Sequence, residues 1–187
     1  GMSKGIQFLM KKNKIEVLSG TGNVLTGKRV SVRSNDGKDT VYQAQHIIIA
    51  TGARSRQLPN LPQDGKKIIG YREAMTLPKQ PKELVVVGSG AIGIEFAYFY
   101  ATLGTKVTVV EFMPTIVPVE DEDVSKQLEK SLKKIGVTIL TSTSVESVNT
   151  KDARCKVTLK TASGLSEIEA DIVLSAVGIE ANIQDLG

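Results

Sequence analysis

The 187-residue chain has no tryptophan, a single cysteine (Cys155), a single histidine (His46), four tyrosines and four phenylalanines. One thiol cannot close an intramolecular disulfide, so a disulfide scaffold is excluded, and so is redox chemistry by a cysteine pair within these residues. One His and one Cys are a poor ligand supply for a transition metal, and no metal site is expected. No apolar run approaches the roughly 18 residues of a membrane-spanning helix, and no charged-then-apolar leader opens the sequence. No membrane partner is expected, and the cytoplasm is the expected compartment. What is present, 41% hydrophobic residues and 17 glycines, suits a globular protein.

Charge is unevenly spread. Residues 1–82 hold 15 Lys/Arg against 5 Asp/Glu, whereas residues 83–187 hold 9 against 15. A basic half can mark a nucleic-acid face. Here the basic residues are scattered and not interleaved with aromatics that could stack on bases, so a solvated surface is expected and no nucleic-acid partner.

Two stretches resemble each other at an offset of about 126 residues. One runs from Lys14–Gly20 onward, the other from Gly136–Ser142 onward. Each reads as a short apolar strand, two alternating strands around a Gly turn (Asp36-Gly37, Ser163-Gly164), and a buried strand before a glycine: His46–Ala50 before Gly52, Asp171–Ala176 before Gly178. Only the second copy is preceded by more. Leu84–Val87 is a continuous apolar run, as in a parallel strand covered on both faces. Helical character over 91–103 stops at Gly104, Lys106–Val110 reads as the next strand, and Asp121–Ile135 as a helix with Val124, Leu128, Leu132 and Ile135 on one face. Val137–Leu140 completes a βαβαβ unit. The fold class expected is α/β: a Rossmann-like parallel sheet with helices on its faces and a three-stranded antiparallel meander, joined to leftover strands of a truncated preceding module. The division expected is 1–58 for that module, 59–81 for a Pro-containing linker and 82–187 for the complete one.

Val87-Gly88-Ser89-Gly90-Ala91-Ile92-Gly93 is a G-x-G-x-x-G at the end of a predicted buried strand, opening a predicted helix. In that context it is a dinucleotide-binding fingerprint: Gly88 for the tight turn, Gly90 for close approach of a pyrophosphate, Gly93 for helix–strand packing. Glu111, 18 residues after Gly93 at the end of the next strand, is placed to accept hydrogen bonds from an adenosine ribose and to repel a 2′-phosphate. Phe112–Val117 offer no Lys or Arg for such a phosphate, so NAD(H) is expected over NADP(H). Glu95 has two readings that stand side by side: a first-turn carboxylate favoured by the helix dipole, or one facing a neighbouring domain or a nicotinamide. Cys155 and His46 read as strand residues, and no constellation for acid–base or covalent catalysis is visible, so no catalytic residue is assigned.

The runs Ala50–Pro59, Glu83–Ala97, Lys106–Pro118 and Asp171–Gly187 resemble the flavin-dependent pyridine nucleotide–disulfide oxidoreductases, and within them most closely the dihydrolipoamide dehydrogenase branch. The resemblance implies an FAD domain followed by an NAD domain. It implies that Gly88, Ser89, Gly90, Ala91, Ile92, Gly93 and Glu95 line the NAD pyrophosphate and nicotinamide side, that Glu111 takes the adenosine ribose, and that Phe112 is a further cofactor-binding residue. It implies also that Val145 lies near the adenine, that the Gly178 backbone approaches the nicotinamide, and that Gly20 and Thr51-Gly52-Ala53 contact FAD in the intact parent. Glu95 would face a Lys beside the flavin that this sequence does not contain. The family's first G-x-G-x-x-G, its C-x-x-x-x-C disulfide, its G-D motif and its dimerisation domain are absent from these residues, and Ile179-Glu180-Ala181-Asn182 stands where many relatives have Arg-Arg-Pro-Asn. The expectation is an NAD-binding region whose partners are NAD(H) and the remaining FAD and dimerisation domains, self-associating, and inactive as a dehydrogenase by itself. Other members, such as NADH oxidases or mercuric reductases, and a stand-alone NADH-binding module are the alternatives.

Overall fold

The alternating segments on either side of Gly27 and Gly37 form an antiparallel meander in the computed structural model, which describes residues 1–187. A helix, α1 (Met2–Lys12), precedes strands β1 (Gly20–Leu25), β2 (Arg29–Ser34) and β3 (Asp39–Gln43). Val30 pairs with Val24 on one side and Tyr42 on the other, and Arg33 makes an ion pair with Asp39 at 3.0 Å. Gly1–Gly52 and Ala181–Gly187 make one compact unit. No side chain of residues 1–52 is buried, and Met2, Ile6, Phe8 and Leu9 leave the apolar stripe of α1 in solvent. Two expected strands are missing here. Within Lys14–Gly20 only Gly20 belongs to a strand, and His46–Ala50 is unpaired, with Ile48 90% exposed. A buried strand exists only where a sheet accepts its N–H and C=O groups and covers its faces, and this unit's one sheet is the meander.

Ala53–Glu180 make the second unit. Its elements are β4 (Ala53–Ser55), β5 (Ile68–Ile69), α2 (Tyr71–Ala74), β6 (Glu83–Val87), α3 (Ala91–Thr102), β7 (Lys106–Val110), α4 (Glu122–Lys134), β8 (Thr138–Leu140), β9 (Ser144–Asn149), β10 (Cys155–Thr161), β11 (Gly164–Ala170) and β12 (Ile172–Ser175); a last short strand, β13 (Ile179–Ala181), follows in the chain. A five-stranded sheet in the order β5-β12-β6-β7-β8 is parallel throughout. Because strand side chains alternate between faces, the apolar run of β6 feeds two cores. Leu84 and Val86 pack with Ala97 and Tyr100 of α3 and Leu132 of α4. Val85 and Val87 pack with Val145, Val157, Leu159 and Ala170 of the second meander, β9–β11. The helices therefore share one face, and antiparallel strands cover the other.

α4 is capped by Asp121, whose Oδ1 accepts the Asp123 N–H at 2.9 Å. Its buried line is Ser125 and Leu132 with Leu128 half-buried, while Val124 and Ile135 of the predicted stripe are 53% and 42% exposed. The Ser125 hydroxyl is satisfied in the core by donating to Ile116 O at 2.6 Å, which lets a polar residue occupy the packed side. Cys155 is fully buried among these strands, and burial pushes its thiol up, consistent with a packing role.

The segment 59–81, expected as a linker, is part of this unit. Leu61 is buried, Ile68 and Ile69 form the edge strand β5, and Tyr100 donates from its hydroxyl to Ala74 O at 2.5 Å. Proline marks turns as well as linkers, and the apolar pair Ile68-Ile69 is too short to read as a strand until β12 is there to pair with it. Asp64 sets up that edge: its Oδ1 accepts the N–H groups of Lys66, Lys67 and Ile68 at 2.8, 2.8 and 3.0 Å. Burial pushes the Asp64 carboxyl up, but the three backbone donors outweigh it and hold it below the usual carboxylate range. This stabilisation is present above the ordinary carboxylate pKa of about 4 and is lost as pH falls through the depressed folded-state value. Asp64→Ala is expected to cost about 2 kcal/mol and to speed amide exchange at Val173, which donates to Lys67 O. Unchanged exchange there would show that β5 holds without the carboxylate.

Candidate functional site

The carboxyl ends of β12, β6 and β7 and the start of β9 open onto one cleft of about 610 Å³, the place where open α/β sheets bind ligands. β6 leaves the sheet at Gly88, whose φ of +97° is open to glycine and strained for other residues. A Cβ there would stand 2.5 Å from Ala176 O, so the loop lies directly on the chain that follows β12. Gly93, one turn into α3, has its missing side chain aimed back at the same loop: a Cβ would meet Gly88 O at 2.0 Å. At Gly90 nothing lies within 4 Å. The first intrahelical bond of α3 is Ile94 N–H to Gly90 O, 3.0 Å, so the N–H groups of Ala91, Ile92 and Gly93 are free of intrahelical acceptors and carry the positive end of the helix dipole.

Glu111 is 7% exposed. Its Oε2 accepts the Ser89 N–H at 2.8 Å and the Ser89 hydroxyl at 2.6 Å, and its Oε1 accepts the Met113 N–H at 2.8 Å. A solvated strand-end glutamate would make none of these bonds. The carboxylate ties the end of β7 to the glycine loop, and Ser89 is itself fully buried. The next loop closes over it: Val117 donates its N–H to Ser89 O at 3.1 Å while holding a φ of +39°, a conformation that costs a β-branched residue of order 1–3 kcal/mol.

Gly88, Ser89, Gly90, Glu111, Phe112, Val145 and Gly178 of the predicted set all line this cleft. Ala91, Ile92 and Gly93 sit in the first turn of α3 behind it. Glu95 does not line it; this exposed residue borders a separate apolar hollow with Met75, Phe96 and Phe99. Gly20, Thr51, Gly52 and Ala53 are also not among the walls. Thr51 donates from its hydroxyl to Asn182 O at 2.5 Å, and the Ala53 carbonyl accepts from Arg72 Nη2 at 3.3 Å.

One wall escaped the sequence reading: Arg56, Leu58, Asn60 and Leu61. It is anchored at both ends, by Arg56 N–H to Gly178 O at 3.0 Å and by Asn60 Nδ2 to Val145 O at 2.6 Å. No spacing rule connects these residues to a glycine motif some 30 positions later in the chain. Thr143 and Ser144 complete the far side. The lining offers hydroxyls, backbone and apolar surface, with Arg56 and Glu111 its only charged residues, and no His, Lys or Cys. Such a site is equipped to hold and orient a ligand.

The family model for pyridine nucleotide-disulphide oxidoreductases matches residues 1–187. Dihydrolipoyl dehydrogenase of Zymomonas mobilis is 41% identical over 187 residues, all of this chain and 40% of the relative. That of Chlorobaculum parvum is 44% identical over 188 residues, 99% of this chain and 40% of the relative. Among solved structures, LpdA from Mycobacterium tuberculosis superposes with a TM-score of 0.88 at 31% identity, covering all of this chain and 41% of that one. The chain thus spans about 40% of the length of the curated relatives it matches.

Proposed function

The chain belongs to the pyridine nucleotide-disulphide oxidoreductase family, and we propose that its second unit is the NAD(H)-binding station of a dihydrolipoamide-oxidising flavoenzyme. The observation that carries this reading is the buried Glu111 carboxylate in the cleft wall, held by two hydrogen bonds from Ser89 of the glycine loop and a third from the Met113 N–H. The residues fit the cofactor. Gly88 and Gly93 are required by backbone contacts, whereas Gly90 faces open space where a pyrophosphate can approach. The free N–H groups at the start of α3 would receive the phosphates. A carboxylate has about four acceptor positions; three of Glu111's are taken, and the one remaining on Oε1 suits a single ribose hydroxyl. Phe112 flanks that ribose, Val145 borders the adenine, and the Gly178 backbone lies at the nicotinamide end. When bound, the nicotinamide ring supplies or accepts hydride. This chain's own residues bind it, set its orientation and exclude the phosphorylated analogue.

The remaining roles belong to the same proposal: FAD against Gly20 and Thr51-Gly52-Ala53, Glu95 turned toward a neighbouring domain, FAD and dimerisation domains as partners, and a cytoplasmic setting. Parallel calorimetric titrations with NADH, NADPH and FAD test it. NADH is expected to bind at least tenfold more tightly than NADPH, with no FAD uptake and no lipoamide-dependent NADH formation by these 187 residues. The same sample is expected to scatter light as a species larger than the 20.1 kDa monomer. A cooperatively melting sample that takes up no NADH would overturn the cofactor assignment.

A further inference from the structure

A dinucleotide brings two negative charges at its pyrophosphate, and a helix N-terminus supplies only about half a positive charge. The cleft's two charged side chains divide the rest of the electrostatics unequally. Glu111 has most of its acceptor capacity engaged by Ser89 and Met113. Arg56 has its backbone pinned to Gly178 by the 3.0 Å bond, and its guanidinium carbon lies 3.8 Å from where a side chain on Gly178 would begin. That guanidinium has no carboxylate partner among the ion pairs of the chain. Gly178 continues directly from Ala176 and Val177, the two residues on which the Gly88 turn rests. An unpaired cation therefore lines the same cleft as the glycine loop, entering it from the Gly178 side.

Building on the dinucleotide reading above, we infer that Arg56 is a cofactor-binding residue whose guanidinium takes a pyrophosphate oxygen opposite the α3 N-terminus, clamping the phosphates between side chain and helix. Arginine suits this position because its planar fork donates two parallel hydrogen bonds to one phosphate. The strand order also limits what it can reach. Arg56 stands by the end of β12, two strands from β7 and Glu111, roughly 10 Å at the usual interstrand spacing. It is on the wrong side of the loop to neutralise a 2′-phosphate on the ribose that Glu111 faces. Arg56 thus raises affinity for the pyrophosphate and leaves the choice between NAD and NADP to Glu111.

The test is a set of titrations of the full 187-residue chain and its Arg56→Gln and Arg56→Lys variants with NADH, ADP-ribose and adenosine. Arg56 is exposed, so both variants are expected to melt as wild type does. Arg56→Gln is expected to weaken NADH and ADP-ribose by the same factor, about tenfold for a partly exposed charge-assisted contact. Adenosine, which has no phosphate, should be unaffected, and Arg56→Lys should recover part of the loss. Wild-type affinity of Arg56→Gln for NADH overturns this inference alone. A loss confined to NADH and absent for ADP-ribose overturns it too, by moving Arg56 to the nicotinamide. A wild-type chain that binds neither nucleotide overturns the dinucleotide reading and this one with it.

Discussion

Gly93→Ala is expected to lower stability by about 2–3 kcal/mol and to abolish measurable NADH binding. In an exposed helix the same change would gain about 1 kcal/mol, because alanine loses less backbone entropy than glycine. Here the new methyl carbon would stand 2.0 Å from Gly88 O, 3.0 Å from its carbonyl carbon and 3.3 Å from the Ala176 Cβ. Two of these atoms belong to backbone that no rotamer change can move. Either α3 lifts from β6, opening the core around Ala97 and Tyr100, or the glycine loop shifts and the Ser89–Glu111 bonds break. Overpacking of this kind costs a few kcal/mol, a large share of the 5–15 kcal/mol that holds a typical domain together. Gly90→Ala is the control, since a Cβ there meets no atom within 4 Å. It should leave the urea midpoint near wild type and still weaken NADH, because the methyl projects where the phosphates would lie. Equal stability of Gly93→Ala and wild type would show that helix and loop are not in the register described.

What could be read from the sequence followed from signals that are local. The glycine fingerprint, the unbroken apolar run of β6 and the alternation in β10 each encode a conformation within a few residues. The offset repeat was legible in its meander for the same reason: β1–β3 and β9–β11 are both three-stranded and antiparallel, whereas the flanking strands expected at Lys14–Gly20 and His46–Ala50 of the first copy do not form. What stayed hidden depends on partners distant in the chain. β5 is two isoleucines that become a strand only beside Val173 and Leu174. Arg56 becomes a cleft residue only because its N–H reaches Gly178, 122 positions later. In the opposite direction, His46–Ala50 has the composition of a buried strand and lies exposed, because composition states a preference and pairing decides the outcome. α1 was missed since nothing in the sequence before Lys14 marks its start: its N-cap, Gly1, makes no side-chain bond.

Glu111 is where the reading of stability and the reading of specificity can be separated by two substitutions. Glu111→Ala removes the acceptor for three donors, two of them on the fully buried Ser89. Leaving buried donors unpaired costs about 1–3 kcal/mol each when water cannot reach them, so a loss of about 3 kcal/mol in urea denaturation is expected. Glu111→Gln keeps the shape and one carbonyl oxygen. That oxygen can serve Ser89, and the amide nitrogen then faces the Met113 N–H donor to donor, for a smaller loss of about 1 kcal/mol. The informative quantity in this variant is the NADH-to-NADPH affinity ratio. Removing the negative charge takes away the repulsion of a 2′-phosphate and the strongest acceptor for a ribose hydroxyl together. NADH is expected to weaken about tenfold and NADPH to hold or gain, bringing the ratio close to one. If instead Glu111→Gln loses stability while the ratio persists, the carboxylate serves only to tie β7 to the glycine loop. Discrimination would then have to come from the loop that follows, where Val117 holds its strained backbone against Ser89.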